Sequence, residues 1–155
     1  MIQQHFKDLI EIKGIDAVAL YDNHNRIMDS WVQPPKQNIA VISEIGETYL
    51  HIFGLLEYLK SDMSELVLPH DKGIIYARTR PKYFIIVMAK LSIDAALIRL
   101  ALNVAIKEFE ENRKSKKVLK KLSDKKFYQI KSITLDDVEK IMLENILEDK
   151  DGGGE

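Results

Sequence analysis

The spacing of apolar positions alternates between the helical and the strand period along the first 112 residues. Ile2, Phe6, Leu9 and Ile10 recur at helical spacing, and Gly14 stands where a helix end favours a residue at positive φ. Residues 15–21 (IDAVALY) and 26–32 (RIMDSWV) read as two strands, joined by Asp22-Asn23-His24-Asn25, a tight polar turn. Pro34-Pro35 forbids both ladder and helix and predicts a stiff crossover. From 38 to 60 the period is helical again, with Ile42, Ile45, Tyr49, Ile52, Phe53, Leu56 and Leu59 on one stripe that is expected to cover a sheet. Three short strands follow at 64–69, 73–79 and 83–89, and then a helix to about residue 112 whose apolar positions are Ile93, Ala96, Leu97, Leu100, Ala101, Val104 and Phe109.

This order, α-ββ-α-βββ-α, predicts an α/β (α+β) domain with one five-stranded antiparallel sheet and helices on both faces. The connections are too short for parallel crossovers. The run YFIIVMA is apolar on both faces and predicts a central strand, whereas SELVLP is short, carries Glu65, stops at a proline and predicts an edge. On the long helix, 100° spacing puts Ala40, Ser43, Glu47, His51, Gly54 and Tyr58 opposite the core stripe, with Leu50 and Leu55 on the shoulders. A fully solvated face gains nothing from a glycine that costs about 1 kcal/mol of helix propensity, so another helix or another protein is expected to approach there. An ordinary exposed face with a tolerated glycine is the alternative.

Composition narrows the chemistry. The chain has 155 residues, 46% of them hydrophobic, which supports one domain with a core plus an appendage. A formal net charge of −1 supplies no global field for nucleic acid or membrane. The absence of cysteine removes disulfides, thiolate metal sites and a cysteine nucleophile. No stretch reaches the roughly 18 apolar residues of a membrane span, and the N-terminus lacks a signal-peptide pattern; a cytoplasmic protein without stable membrane insertion is expected. His5, His24, His51 and His70 have no metal-ligand spacing, and no phosphate loop, serine elbow or spaced carboxylate pair is present, so neither an enzyme, nor a metal site, nor a cofactor is expected.

The tail reverses its charge. Residues 113–126 are strongly basic, whereas from Thr134 the segment TLDDVEKIMLENILEDKD is acidic. With few aromatics interleaved, the basic run reads as a linker or helix extension (113–133) rather than a nucleic-acid or lipid site. Thr134 and Asp137 resemble a capping box, and Leu135, Val138, Ile141, Met142 and Ile146 predict an amphipathic helix over 134–150. A helix this short is marginal alone and is expected to dock on the domain, on a dimer mate or on a partner. Residues 151–155, with three consecutive glycines, are expected to be a disordered tail.

Certain residues resemble a known family. Gly14-Ile15-Asp16-Ala17-Val18 opening the first strand, Tyr21-Asp22 entering the hairpin, Gly73 entering the fourth strand and Ala96-Leu97-Ile98-Arg99-Leu100 in the last helix resemble the roadblock/dynein light chain domain, and within it the bacterial MglB-type proteins. The likeness covers about residues 6–112. The family often has glycine where this chain has Asn25, which tolerates the same positive φ, and Ala96 stands where glycine is expected. The resemblance implies a roadblock/profilin-like fold and a homodimer or heterodimer in which edge strands pair and the long helices pack antiparallel; a homodimer is expected here. It further implies a non-catalytic regulator or scaffold of small Ras-like GTPases, working without an arginine finger. The contacts expected on that basis are Ser43, Leu50, Gly54, Ser64, Glu65, Leu66, Val67 and Leu68 for the dimer, and Glu44, Glu47, His51, Leu55 and Tyr58 for the GTPase. The alternatives are a structural adaptor with no effect on hydrolysis and a small-ligand sensor of PAS or GAF type. Against the sensor, Ile42, Ile45, Phe53 and Leu56 on one helix and Leu97, Leu100 and Phe109 on the other are expected to fill the space where such folds keep a pocket.

Overall fold

A computed structural model describes residues 1–34, 39–61 and 63–124, together with Val138, Ile141, Met142 and Asn145. Its elements are α1 (Ile2–His5), α2 (Lys7–Ile10), β1 (Ile15–Asp22), β2 (Ile27–Val32), α3 (Ile39–Tyr58), β3 (Glu65–His70), β4 (Gly73–Thr79), β5 (Tyr83–Ala89), α4 (Ala95–Glu111) and α5 (Arg113–Leu119). The expected first helix is thus two short turns that end at Ile10, four residues before Gly14. Much of the Pro34-Pro35 crossover, the helix start at Asn38, the basic linker beyond Asp124 and most of 134–155 lie outside the described residues.

The five strands form one antiparallel sheet in the order β2-β1-β5-β4-β3. β5 is central and buried on both faces, and β3 is an edge strand with Pro69 near its end, both as the apolar pattern requires. α1, α2 and α4 cover one face through a core that includes Phe6, Leu9, Val18, Leu20, Val87, Ile98, Leu102 and Phe109, and Leu119 of α5 packs against its margin. α3 covers the other face over Ala19, Tyr21, Ala77, Phe84 and Ile86. The hairpin turn between β1 and β2 is built by Asp22: Oδ1 accepts the His24 and Arg26 amides, each at 2.9 Å, and Oδ2 accepts Arg26 Nε at 2.6 Å. Asn25 closes it at φ +62°, the left-handed conformation asparagine tolerates.

Both long helices turn out rotated from their expected phase. On α4 the buried positions are Ile98, Leu102, Ala105, Ile106 and Phe109, roughly two-fifths of a turn from Leu97, Leu100 and Val104, which are exposed. Those three residues fill no space under the helix, and Ala96 is exposed too, so no tight approach depends on it. Two charged clamps hold this phase. Arg99 grips Glu65 of β3, and Glu110 accepts Arg80 Nε at 2.7 Å and Nη2 at 2.8 Å. Among the described residues of α3 the buried positions are Ile42, Gly46, Tyr49, Leu50, Phe53 and Gly54, whereas Ile45 and Leu56 are only partly covered.

Gly46 sets the depth of α3. A Cβ there would stand 2.6 Å from Asn25 Oδ1 and 2.9 Å from Cζ of Tyr21. The ring has no room to retreat, because it stacks on Phe84 at 4.7 Å between centroids and an interplanar angle of 4°. Its hydroxyl donates to the Ile42 carbonyl at 2.6 Å. Gly46→Ala therefore sets a helix-propensity gain of about 1 kcal/mol against overpacking of about 1–3 kcal/mol. The expected result is a net loss of up to about 2 kcal/mol, read as a lower urea midpoint with unchanged m-value; a higher midpoint would contradict the account.

Candidate partner-binding surface

The rotation of α3 decides which residues it presents. Glu44, Glu47, His51, Leu55 and Tyr58 fall on the side opposite Gly46, with Glu44 and Glu47 exposed and the other three half-buried. Ser43 is exposed beside them. Leu50 is a correction: it is wholly buried in the cluster with Tyr49, Phe53 and Phe84, so its side chain has no surface to offer a second chain. Gly54 is also buried within the single chain. The glycine that permits a close approach is Gly46, facing inward, and a signal for it exists in the sequence, since it stands within the apolar stripe of Ile42, Tyr49, Leu50 and Phe53. Tyr49 buries its hydroxyl with no hydrogen-bond partner among the described residues, and burial pushes its pKa up to about 12.

The edge strand divides its side chains between the two faces. Leu66 packs against the α3 cluster, as does Leu56 of that helix, and Leu68, two residues on, is exposed. Val67 packs on the α4 side. Ser64 is exposed just before the strand, and its carbonyl accepts the Thr79 amide at 2.8 Å. Among the described residues β3 is paired only with β4, which leaves its outer backbone edge open.

Glu65 is occupied within the chain. Its carboxylate takes Arg99 Nε at 2.8 Å and Nη2 at 2.5 Å, Arg78 Nη2 at 3.1 Å and the Tyr76 hydroxyl, while Arg78 Nη1 donates to Asn103 Oδ1 at 2.6 Å. The cluster fastens the edge strand to α4. The bidentate Arg99 pairing, with smaller help from Tyr76 and Arg78 and against the cost of burial, lowers the Glu65 pKa from 4.5 to about 2.

Two expectations about chemistry meet the structure here. The space under α3 is not completely filled. A cavity of about 280 Å³ remains beneath its first turns, where Ala17 and Ala89 are small, lined also by Val41, Ile42 and Met88 with Asp16, His70 and Lys72 among the polar groups. The histidines are dispersed: His5 meets the edge of Phe109 at 5.7 Å, His24 lies in the hairpin turn, and His70 Nδ1 accepts the Lys72 amide at 3.2 Å. Among the described residues no group of three or more metal-ligating side chains converges, and no helix is long and apolar enough to cross a membrane.

The chain matches no protein-family model and no curated protein in sequence. Solved structures do match it in shape. A roadblock/LC7 domain from Streptomyces avermitilis superposes with a TM-score of 0.56 at 13% identity, covering 69% of this chain and 92% of that one. This chain has the roadblock fold. Myxococcus xanthus MglB superposes with a TM-score of 0.57 at 16% identity over 77% of this chain and 91% of that one. The gliding protein MglB of Thermus thermophilus gives 0.55 at 11% identity, over 66% and 81%. The roadblock sheet and its helices are therefore reached here by a sequence that shares few residues with these structures.

The Glu65 clasp yields a pH prediction. A carboxylate whose folded pKa lies below its ordinary value contributes stability in full above about pH 5 and loses it as pH falls through 4.5 towards 2. Glu65→Gln removes that dependence. The difference in urea midpoint between wild type and Glu65→Gln is expected to be largest at pH 6 and to shrink by pH 3; an unchanged difference would show that the clasp contributes nothing.

Proposed function

We propose that this roadblock domain is a non-catalytic homodimer that binds a small Ras-like GTPase and modulates its nucleotide cycle by repositioning the GTPase's own switch residues. The observation that carries the reading is the adjacency of two unfinished surfaces. The open edge of β3 runs beside α3, with Leu66 and Leu56 in one cluster, so one partner strand and one partner helix can be met together. The likeness to MglB structures supports it, and one of these is described as MglB in a tetrameric arrangement, with a TM-score of 0.57 at 10% identity. In this reading Ser64, Leu66 and Leu68 with Ser43 of α3 meet the second copy, and Glu44, Glu47, His51, Leu55 and Tyr58 meet the GTPase. Edge pairing satisfies backbone groups that water otherwise holds, and a half-buried tyrosine on the same helix face as Leu55, three residues away, has the make-up of an interface anchor. No nucleic acid, cofactor or metal enters this reading.

The cavity under α3 favours a second reading, a small-ligand sensor, because an apolar chamber with a few polar groups is the usual form of such sites.

Assembly and partner binding separate experimentally. Sedimentation at tens of micromolar is expected to show a dimer, with at least the roughly 1,200 Å² of buried surface that specific interfaces need. Leu68→Glu, an exposed change at the edge, is expected to shift it towards monomer while the far-ultraviolet circular dichroism of the folded chain stays unchanged; a wild-type monomer at that concentration would overturn the assembly. Tyr58→Ala is expected to weaken binding of a GTP-loaded Ras-like GTPase from the same genome by about 2 kcal/mol, roughly 30-fold. Unchanged affinity after Tyr58→Ala and His51→Ala together would overturn the assignment of the α3 surface.

A further inference from the structure

The outer side of α4 is apolar and uncovered among the described residues. Leu97 is 47% exposed, Leu100 65% and Val104 50%, and with Ala101 they floor a groove of about 600 Å³ whose other wall is α1, α2 and Ile12 just beyond them. The helix keeps these side chains on its surface because its core phase is taken by Ile98, Leu102 and Phe109. Three bulky aliphatic residues in one row are more than a solvated face needs.

The same chain carries a second unfinished apolar row. Val138, Ile141 and Met142 are in helical conformation, each more than half exposed, at the i, i+3, i+4 spacing of a single stripe that Leu135 and Ile146 extend in the sequence. We propose that residues 134–148 lay this stripe into the α4 groove of their own chain.

Reach and charge both select this occupant. The domain ends next to the β1–β2 hairpin, where Asn23 Nδ2 donates to the Ser123 carbonyl at 3.0 Å and Lys82 Nζ meets the Leu122 carbonyl and Asp124, each at 3.0 Å. From Asp124 to Val138 is fourteen residues, an extended reach of roughly 46–50 Å at 3.3–3.6 Å each. α4 is about 25 Å long at 1.5 Å per residue, so the whole groove is within the tether. Residues 134–150 carry Asp136, Asp137, Glu139, Glu144, Glu148 and Asp149 against Lys140 and Lys150. α5, which continues from the end of α4, has Arg113, Lys114, Lys116 and Lys117 and no carboxylate, whereas the groove itself carries charges of both signs, Lys7 with Asp8 and Glu108. An acidic amphipathic segment tethered next to a basic helix and an apolar groove is held at high effective concentration by its own linker.

The absence of cysteine makes a clean test, since any thiol is an introduced one. In the full chain, Leu100→Cys with Met142→Cys is expected to give at least five times more intrachain disulfide under mild oxidation than Lys60→Cys with Met142→Cys, whose first thiol sits at the far end of α3. Adding Ile141→Asp to the first pair should bring its yield down to that of the control. Equal yields in the two pairs would overturn the proposal, and so would disulfides formed mainly between chains, which would make a second copy the occupant.

Discussion

Tyr21 lies flat against Phe84 and sends its hydroxyl to the Ile42 carbonyl, and the backbone of α3 comes down on its ring at Gly46. This seat fixes both the depth and the rotation of α3. A side chain at position 46 would lift the helix, and a rotation of one residue that brought Glu47 towards the sheet would turn Tyr49 out. The outward stripe from Glu44 to Tyr58 is therefore a consequence of an inward contact. β1 supplies the tyrosine, β5 the phenylalanine, and the β1–β2 turn the Asn25 side chain that borders the same space.

On the opposite face burial is joined by electrostatics. α4 is apolar over much of its circumference, and its bulkier stripe, which ends in Phe109, is the one buried. Arg99 on Glu65 and Glu110 on Arg80 lie along the helix and tie it to β3 at one end and to the β4–β5 turn at the other. These charge-assisted bidentate bonds fit the phase that buries Ile98, Leu102, Ile106 and Phe109 and leaves Leu97, Leu100 and Val104 outside. The same clasp through Glu65 holds the edge strand in line, so the two sides of the sheet meet at β3.

The element order, the antiparallel sheet, the central place of YFIIVMA and the edge place of SELVLP were all legible in the sequence, because each depends on local period and turn chemistry. The helix phases were not. On α3 the larger residues Ile45, Ile52 and Leu59 pull the expected stripe away from Gly46, since a glycine adds no hydrophobic weight although it marks the closest approach; Leu50 is misplaced for the same reason. On α4 two apolar stripes compete, and the buried one is accompanied by Glu65–Arg99 and Arg80–Glu110, pairs 34 and 30 residues apart that no local window contains. The cavity under α3 escaped for a related reason, because the large residues fill the middle of the layer and Ala17 and Ala89 leave its end open.

The central claim is that β3 and α3 form one surface that a second copy completes. Amide hydrogen exchange of residues 65–70, followed over a dilution series, tests it most directly. Edge pairing predicts that part of these amides exchange about as slowly as those of β5 at tens of micromolar and are released on dilution together with the dimer. Free exchange of the outward amides of β3 at every concentration would contradict the account.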